Sequence, residues 1–253
     1  MLWINPVGTT LFDEDIEDLL SAIKQEGTQV KVVSLPRGPE HLEYHYYEAL
    51  VLPDLLHVIQ EGERRGYDGA VIGCFYDLGL RAAKEITQEM MVTAPAKATM
   101  SLATSLGNSF SILVGREKWI PEMKENVLKY GYGEYFVNFK TVGLGVLEFH
   151  ENEEETRGRL KRLAKEAVEK DGAEVLILGC TIQFGFFREL QKLVGVPVLD
   201  SVVAPFKYVE FLAELKHRFN WKHSKIRGYE PPPTEEIRKW GLKEQYKNVE
   251  DIF

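Results

Sequence analysis

The chain is poor in cysteine, in basic charge and in long apolar runs. Cys74 and Cys180 are its only cysteines among 253 residues, which excludes a disulfide-stapled fold. Lysine and arginine number 31 against 39 aspartates and glutamates, and the net charge of −8 argues against nucleic acid as a partner. Without an apolar run of about 18 residues, no membrane span is predicted. The N-terminus lacks the basic region of a signal peptide, so we expect a cytoplasmic protein.

Short apolar runs alternate with segments of helical periodicity along the chain. The runs predict strands at residues 2–5, 30–33, 70–73, 110–114 and 175–179. Apolar residues at helical spacing predict helices at residues 12–23, 50–59, 80–86, 119–130, 160–168 and 206–219. This alternation indicates an α/β fold with parallel sheets that carry helices on both faces.

The two halves of the chain show a similar pattern, offset by 106 residues. This offset separates Cys180 from Cys74, and it moves Ile4 onto Phe110 in the strand that opens the second half. We interpret the pattern as an internal duplication, which would relate the cysteines by a pseudo-twofold axis and make them face each other across a cleft. The alternative is a coincidence that any alternating α/β chain can produce.

Both cysteines occupy a position where α/β proteins bind ligands. Each follows a glycine at the carboxyl end of a predicted parallel strand and precedes a predicted helix, whose amino end would favour a thiolate. Two facing thiols suit racemisation, because a thiolate removes a proton beside a carbonyl from one side and a thiol returns one from the other. The matched contexts therefore predict an acid–base pair, although a buried cysteine is often only a small apolar residue.

Other uses of two cysteines compete with this one. A disulfide would close a very long loop in a reducing compartment. A zinc site needs more ligands at a recognisable spacing, and the sequence has no C-x-x-C motif, so we predict no metal. A cysteine nucleophile paired with a histidine base stays open as an alternative.

The residues around the cysteines resemble the two cysteine motifs of hydantoin and allantoin racemases, in the aspartate/glutamate racemase superfamily. The first is residues 73–80 (GCFYDLGL), and the second is residues 178–181 (LGCT) followed by Gly185 and residues 195–200 (GVPVLD). Residues 4–10 (INPVGTT) are similar to the family's opening Asn-Pro-Asn-Thr loop, and residues 224–229 (SKIRGY) to its C-terminal arm. The resemblance covers residues 4–233.

This resemblance implies a fold and a reaction. It implies two pseudo-symmetric parallel-sheet lobes with the active site in the cleft between them. It also implies a racemisation that needs no cofactor, in which Cys74 and Cys180 act as opposed acid and base.

The resemblance further implies seven residues that contact the substrate. Four are residues near which backbone N–H groups would hold carbonyl oxygens and stabilise an enolate, namely Phe75, Gly79, Thr181 and Ile182. Three belong to loops that would contact the ring or a carboxamide, or would line the pocket, namely Asn5, Thr10 and Pro39.

Three departures from the family's pattern bear on the substrate rather than on the chemistry. Val7 and Gly8 stand where the opening loop usually has one asparagine. Tyr76 is bulkier than the small or acidic residue that is usual after the Cys-Phe pair, and Lys97 stands where an acidic residue is common. We therefore expect the substrate side chain to differ before the proton chemistry does.

The predicted function is racemisation of 5-substituted hydantoins or allantoin. An aspartate or glutamate racemase, or another isomerase of the same superfamily, is the first alternative. A decarboxylase of that superfamily needs only one active-site cysteine, so the presence of two speaks against it. A non-catalytic small-molecule binding protein is a further alternative, because a fold does not determine a function.

We expect two lobes and an arm. Lobe 1 comprises residues 1–105 and 205–230, lobe 2 comprises residues 106–204, and residues 231–253 form the arm, extended because it opens with three prolines. The resemblance and the aromatic segment 44–47 (YHYY) predict a homo-oligomer. The partner that we expect is a small-molecule substrate, not nucleic acid or a membrane.

Overall fold

The computed structural model describes residues 1–241 as alternating strands and helices. The strands are β1 (Leu2–Asn5), β2 (Lys31–Ser34), β3 (Gly69–Ile72), β4 (Met91–Thr93), β5 (Phe110–Val114), β6 (Phe136–Thr141), β7 (Val175–Leu178) and β8 (Val198–Leu199). The α-helices are α1 (Asp13–Ile23), α2 (His45–Arg64), α3 (Leu80–Ile86), α4 (Pro95–Leu106), α5 (Ile120–Lys129), α6 (Glu153–Lys165), α7 (Phe187–Val194), α8 (Val203–Phe219) and α9 (Thr234–Lys239). The predicted α/β class is confirmed.

The strands form two parallel sheets of four. One has the order β2-β1-β3-β4, and the other has the order β6-β5-β7-β8. The two inner strands of each sheet are buried along their whole length, which is typical of parallel strands that are covered on both faces. The edge strand β6 is only half-buried.

The same strand order in both sheets fits a duplication, but the offset between the halves is not constant. An offset of 106 residues carries β3 onto β7 and Cys74 onto Cys180. In the first strands, however, the Gly73 N–H donates to Ile4 (2.7 Å), whereas the Gly179 N–H donates to Leu113 (2.8 Å). Ile4 therefore corresponds to Leu113, three residues beyond the Phe110 to which the offset of 106 moves it.

The chain divides into two compact units. Of the described residues, unit 1 contains 1–73, 78–93 and 206–241, and unit 2 contains 74–77 and 94–205. This division places α4 in unit 2, although the sequence analysis assigned residues 95–105 to the first lobe. The division also places Cys74 in the unit that contains Cys180. The short segment 74–77 is preceded and followed in the sequence by residues of unit 1.

The sequence predicted an extended C-terminal arm, and this is wrong for part of it. Residues 234–239 form α9, with Glu235 and Glu236 in its first turn and Arg238 and Lys239 in its last. This charge order stabilises a helix through its dipole, and the prolines before it cannot prevent a helix that begins after them. The rest of the predicted arm, residues 242–253, lies outside the described residues.

Several elements were missed because they are short or lack a clear period. Strands β4 and β8 have three and two residues, which is too few for a periodic pattern. Helix α4 (PAKATMSLATSL) is rich in small and polar residues, and α7 is only eight residues long. In residues 1–241, no helix has a stretch both long and apolar enough to cross a membrane.

Candidate active site

Cys74 lies in a tight loop at the carboxyl end of β3. It is partly buried and stands two residues beyond the last residue of the strand. The backbone N–H of Asp77 donates to the Cys74 carbonyl (3.0 Å), which closes a turn over residues 74–77, here called the first cysteine loop. Helix α3 begins only at Leu80, so Cys74 does not lie in the first turn of a helix.

Cys180 has the same local surroundings at the end of β7. It is partly buried, two residues beyond the strand, and the Gln183 N–H donates to its carbonyl (3.1 Å). A single 3₁₀ turn, Thr181–Gln183, follows it, and α7 begins at Phe187. Residues 180–185 are here called the second cysteine loop. The two cysteine positions thus correspond in strand, in offset and in backbone turn.

The glycine before each cysteine is required by the neighbouring strand. A Cβ atom on Gly73 would lie 2.7 Å from the Trp3 indole nitrogen, and one on Gly179 would lie 2.7 Å from the Ile112 side chain. Real Cβ atoms do not approach that closely, so a side chain at either position would push the first strand of the sheet away. The group that approaches each glycine so closely is the protein's own neighbouring strand.

A buried carboxylate fixes the first cysteine loop. Asp77 is 3% exposed and accepts hydrogen bonds from the backbone N–H groups of Ala96 (2.9 Å) and Lys97 (2.8 Å) at the start of α4. The Tyr130 hydroxyl donates a third bond to it (2.9 Å). Burial raises the pKa of Asp77 to about 6, against the lowering effect of these three hydrogen bonds. The loop is thereby attached to α4 and to the end of α5.

A second contact holds the loop backbone. The Asn126 side chain in α5 donates to the Tyr76 carbonyl (2.8 Å), and both residues are buried. Phe75, the next residue along, is also buried. The first cysteine loop is therefore bonded through its backbone and through a side chain to the rest of unit 2.

Lys97 lies beside this network. Its ammonium nitrogen is 5.2 Å from the centroid of the Tyr130 ring and 5.1 Å from that of Tyr132, within cation–π range. The two rings thus accommodate the positive charge of Lys97.

The second cysteine loop has its own buried carboxylate. Asp200 is 2% exposed and accepts hydrogen bonds from the N–H groups of Gly185 (3.0 Å), Val202 (2.7 Å) and Val203 (3.2 Å). Burial raises its pKa against these bonds. The next residue, Ser201, donates its hydroxyl to the Leu178 carbonyl at the end of β7.

A histidine supports the same loop. His150 lies close to the rings of Phe184 and Phe186, with centroids 5.2 and 5.8 Å away. Its Nε2 is 2.8 Å from the Ile182 carbonyl, and since a carbonyl only accepts, Nε2 donates here. Ile182 is buried, and Thr181 beside it is half-buried.

Gln183 corresponds to Asp77 but is bonded differently. Both side chains stand three residues after a cysteine, and Gln183 is fully buried. Among the residues that the structure describes, neither polar atom of its side-chain amide has a hydrogen-bond partner. The two loops therefore share a backbone turn, and only the first has a bonded side chain at this position.

The opening loop of unit 1 contains two of the residues expected to bind substrate. The Asn5 side chain is buried, accepts from the Trp3 indole (2.7 Å) and donates to Asp13 (2.6 Å). Thr10 is exposed just before α1. Asn5 is therefore oriented by its neighbours, while Thr10 is open to solvent.

Pro39 lies on a second loop that packs against the opening loop. The Gly8 N–H donates to the Pro39 carbonyl (2.9 Å), and the Leu35 N–H donates to Val7 (2.9 Å). A Cβ atom on Gly8 would overlap the backbone of Gly38. The glycine at position 8 thus allows two loop backbones to touch.

The nine site residues predicted from the sequence are divided between the two units. Unit 2 contains the cysteines and three of the expected contacts, namely Cys74, Phe75, Cys180, Thr181 and Ile182. Unit 1 contains the other four, namely Asn5, Thr10, Pro39 and Gly79. Gly79 has a positive φ of 66° directly before α3, a conformation that favours glycine.

Asp77 and Asp200 lie within the sequence motifs, but no role was predicted for them. The signal available was a carboxylate in an apolar context close to a cysteine. Asn126, Tyr130 and His150 gave no such signal, because they lie 32 to 53 residues away from the loop residues that they contact.

Comparison with known proteins identifies the family. The sequence matches the model of the Asp/Glu/Hydantoin racemase family over residues 1–209. The chain belongs to this family. The hydantoin racemases of Pseudomonas sp. (strain NS671) and Paenarthrobacter aurescens are each 34% identical to it over 233 residues, which are 92% of this chain and 92% and 97% of theirs.

A solved structure is also similar to this chain. Allantoin racemase from Klebsiella pneumoniae superimposes with a TM-score of 0.83 at 30% identity, over 92% of this chain and 93% of that one. The family and these relatives support racemase activity for the chain, which is the activity of an isomerase.

Proposed function

We propose that the chain racemises 5-substituted hydantoins or allantoin, with Cys74 and Cys180 as the proton-transfer pair and without a cofactor. The observation that carries this proposal is the matched placement of the two cysteines. Each lies two residues beyond the third strand of its chain half, in the same backbone turn, and the sequence has no other cysteine. Similarity to hydantoin racemases over 92% of the chain supports the substrate class.

The proposed reaction moves one proton off the substrate and one onto it. The thiolate of one cysteine takes the proton from the carbon beside a ring carbonyl, and the electron pair becomes an enolate. The thiol of the other cysteine then gives its proton to the opposite face of that carbon, which inverts it. The enzyme ends with the two protonation states exchanged, and solvent restores them.

Residues of the cysteine loops and of unit 1 are proposed to bind the ring. Backbone N–H groups near Phe75, Gly79, Thr181 and Ile182 would hold its carbonyl oxygens, where negative charge develops in the enolate. Asn5 keeps one amide N–H for the substrate after donating to Asp13. Thr10 is exposed at the opening loop, and Pro39 packs against that loop.

Proton NMR in deuterated water, with separate enantiomers of each substrate, tests the proposal. We expect loss of the alpha-proton signal together with loss of optical rotation on a 5-substituted hydantoin or on allantoin. Racemisation of aspartate or glutamate alone would replace the substrate class. Binding of a hydantoin in calorimetry without any exchange would instead favour the binding-protein alternative.

Single cysteine variants test the mechanism. We expect Cys74→Ser and Cys180→Ser each to abolish racemisation, while one enantiomer still exchanges its proton because one thiol remains. The enantiomer that exchanges should differ between the two variants. The two substitutions serve as controls for each other, since each changes one sulfur to oxygen. Racemisation in both directions by either variant would exclude the two-thiol mechanism.

A further inference from the structure

Beyond the two cysteines, and resting on the proposed function, we propose that Asp77 and Asp200 are positioning residues, one for each thiol. Each is a buried carboxylate that fixes one cysteine loop against the start of a helix. Neither is proposed to touch the substrate. Loss of either should therefore impair one thiol and leave the other in place.

Asp77 holds the first cysteine loop in a conformation that the loop would not keep alone. Its backbone has a φ of 54°, in the left-handed region that non-glycine residues avoid, and its N–H closes the turn onto Cys74. The three donors on its carboxylate come from α4 and from Tyr130, outside the loop. The same residue thus shapes the turn and anchors it.

Asp200 and its neighbour hold both ends of the second cysteine loop. The Asp200 carboxylate accepts from Gly185, five residues after Cys180, and the Ser201 hydroxyl donates to Leu178, two residues before it. The other carboxylate oxygen accepts from the two N–H groups at the start of α8. Cys180 therefore lies on a segment attached at both ends to one short stretch of chain.

The two loops reach this arrangement by different routes. In the first, the anchoring carboxylate stands inside the loop, three residues after the cysteine. In the second, Gln183 occupies that position without a partner among the described residues, and the carboxylate comes from beyond β8. A carboxylate attaches each cysteine loop to a helix, although the local sequences of the two loops differ. If these carboxylates only capped helices, a link to a cysteine loop would not be needed in both cases.

Amide hydrogen exchange measured by mass spectrometry tests the positioning separately from catalysis. Asp77→Asn keeps the size of the side chain but replaces one acceptor oxygen by an N–H₂ group that faces other donors. We expect faster exchange in peptides that contain residues 74–77 and unchanged exchange in residues 180–185. Asp200→Asn should give the converse. Equal loosening of both loops by either variant would overturn the proposal.

Enantiomer-resolved exchange then tests the consequence for the thiols. Small misplacements of a reacting group reduce rates strongly, so we expect the ratio of exchange to inversion to rise about tenfold or more for one enantiomer in Asp77→Asn. That enantiomer should be the one that Cys74→Ser still exchanges. Asp200→Asn should show the opposite preference and match Cys180→Ser. A uniform decrease for both enantiomers would show a merely structural role.

Conservative and control variants keep the test decisive. If an Asn variant does not fold, Tyr130→Phe and Ser201→Ala each remove a single hydroxyl and should shift the same ratios less. Glu63 is a matched control, because its carboxylate also accepts three backbone N–H bonds, but the donors Gln88, Glu89 and Met90 lie outside both cysteine loops. Glu63→Gln should leave both ratios unchanged. Absence of exchange by the unmodified protein would reject the proposed function, whereas unbiased variants of an active enzyme would reject only the positioning roles.

Discussion

Replacing Asp77 by asparagine should remove a pH dependence from the stability of the protein. The carboxyl is buried, and its pKa in the folded state is about 6, against 3.8 for the unperturbed group. Below pH 3.8 it is protonated in both states. Above the folded pKa the carboxyl is ionised inside the protein. Ionisation there costs more free energy than it does in the unfolded chain, where water solvates the charge.

The size of the effect follows from the difference between the two pKa values. A difference of about two pH units, at about 1.4 kcal/mol per unit, amounts to about 3 kcal/mol. Because the folded state binds the proton more tightly, this group's contribution to stability is complete below pH 3.8. It is lost as the pH rises through 6. Tyr130 and the two backbone donors face the carboxylate and lower its pKa, as does the nearby charge of Lys129. Burial outweighs all four effects, and the resulting pKa is about 6.

Urea unfolding of both proteins between pH 4 and pH 7, followed by circular dichroism, measures this contribution. Asparagine has no charge to bury, so the stability advantage of the natural protein over Asp77→Asn should shrink by about 2 kcal/mol across that range, which is most of the total. Other carboxyl groups cancel in the difference. A difference that stays constant with pH would show that Asp77 keeps its ordinary pKa in the folded protein.

Three further predictions concern other parts of the molecule. Gln183→Met should raise the free energy of unfolding by about 1–2 kcal/mol, since it removes two buried polar atoms without partners, and a loss of stability in urea unfolding would point to a bound water instead. Gly8→Ala should force apart the two loops that meet at Gly38 and raise KM more than it lowers kcat; unchanged steady-state kinetics would contradict this. Light scattering should show more than one copy per particle, and Tyr46→Ser with Leu50→Ser should lower that mass, because these side chains are 70% and 53% exposed; a monomer before substitution would contradict the prediction.

Much of the fold could be predicted because its signals are local. Residues 70–73 and 175–179 are apolar runs that end beside a cysteine. The first strand and α3 have the bounds that the sequence predicts. Helix α2 begins at His45, five residues before the apolar period that predicted it. Strand β6 was missed, because a half-buried edge strand lacks the continuous apolar run that indicates an inner one.

The residues that carry the proposed chemistry can be read from the amino-acid sequence alone. It contains two thiols, each at the end of an apolar strand after a glycine, and motifs that place it among racemases. What holds each thiol was decided by tertiary structure, because the donors to Asp77 come from 19, 20 and 53 residues away along the chain. A carboxylate in a sequence motif has no visible partner until folding brings buried N–H groups to it and removes the water that would otherwise satisfy both.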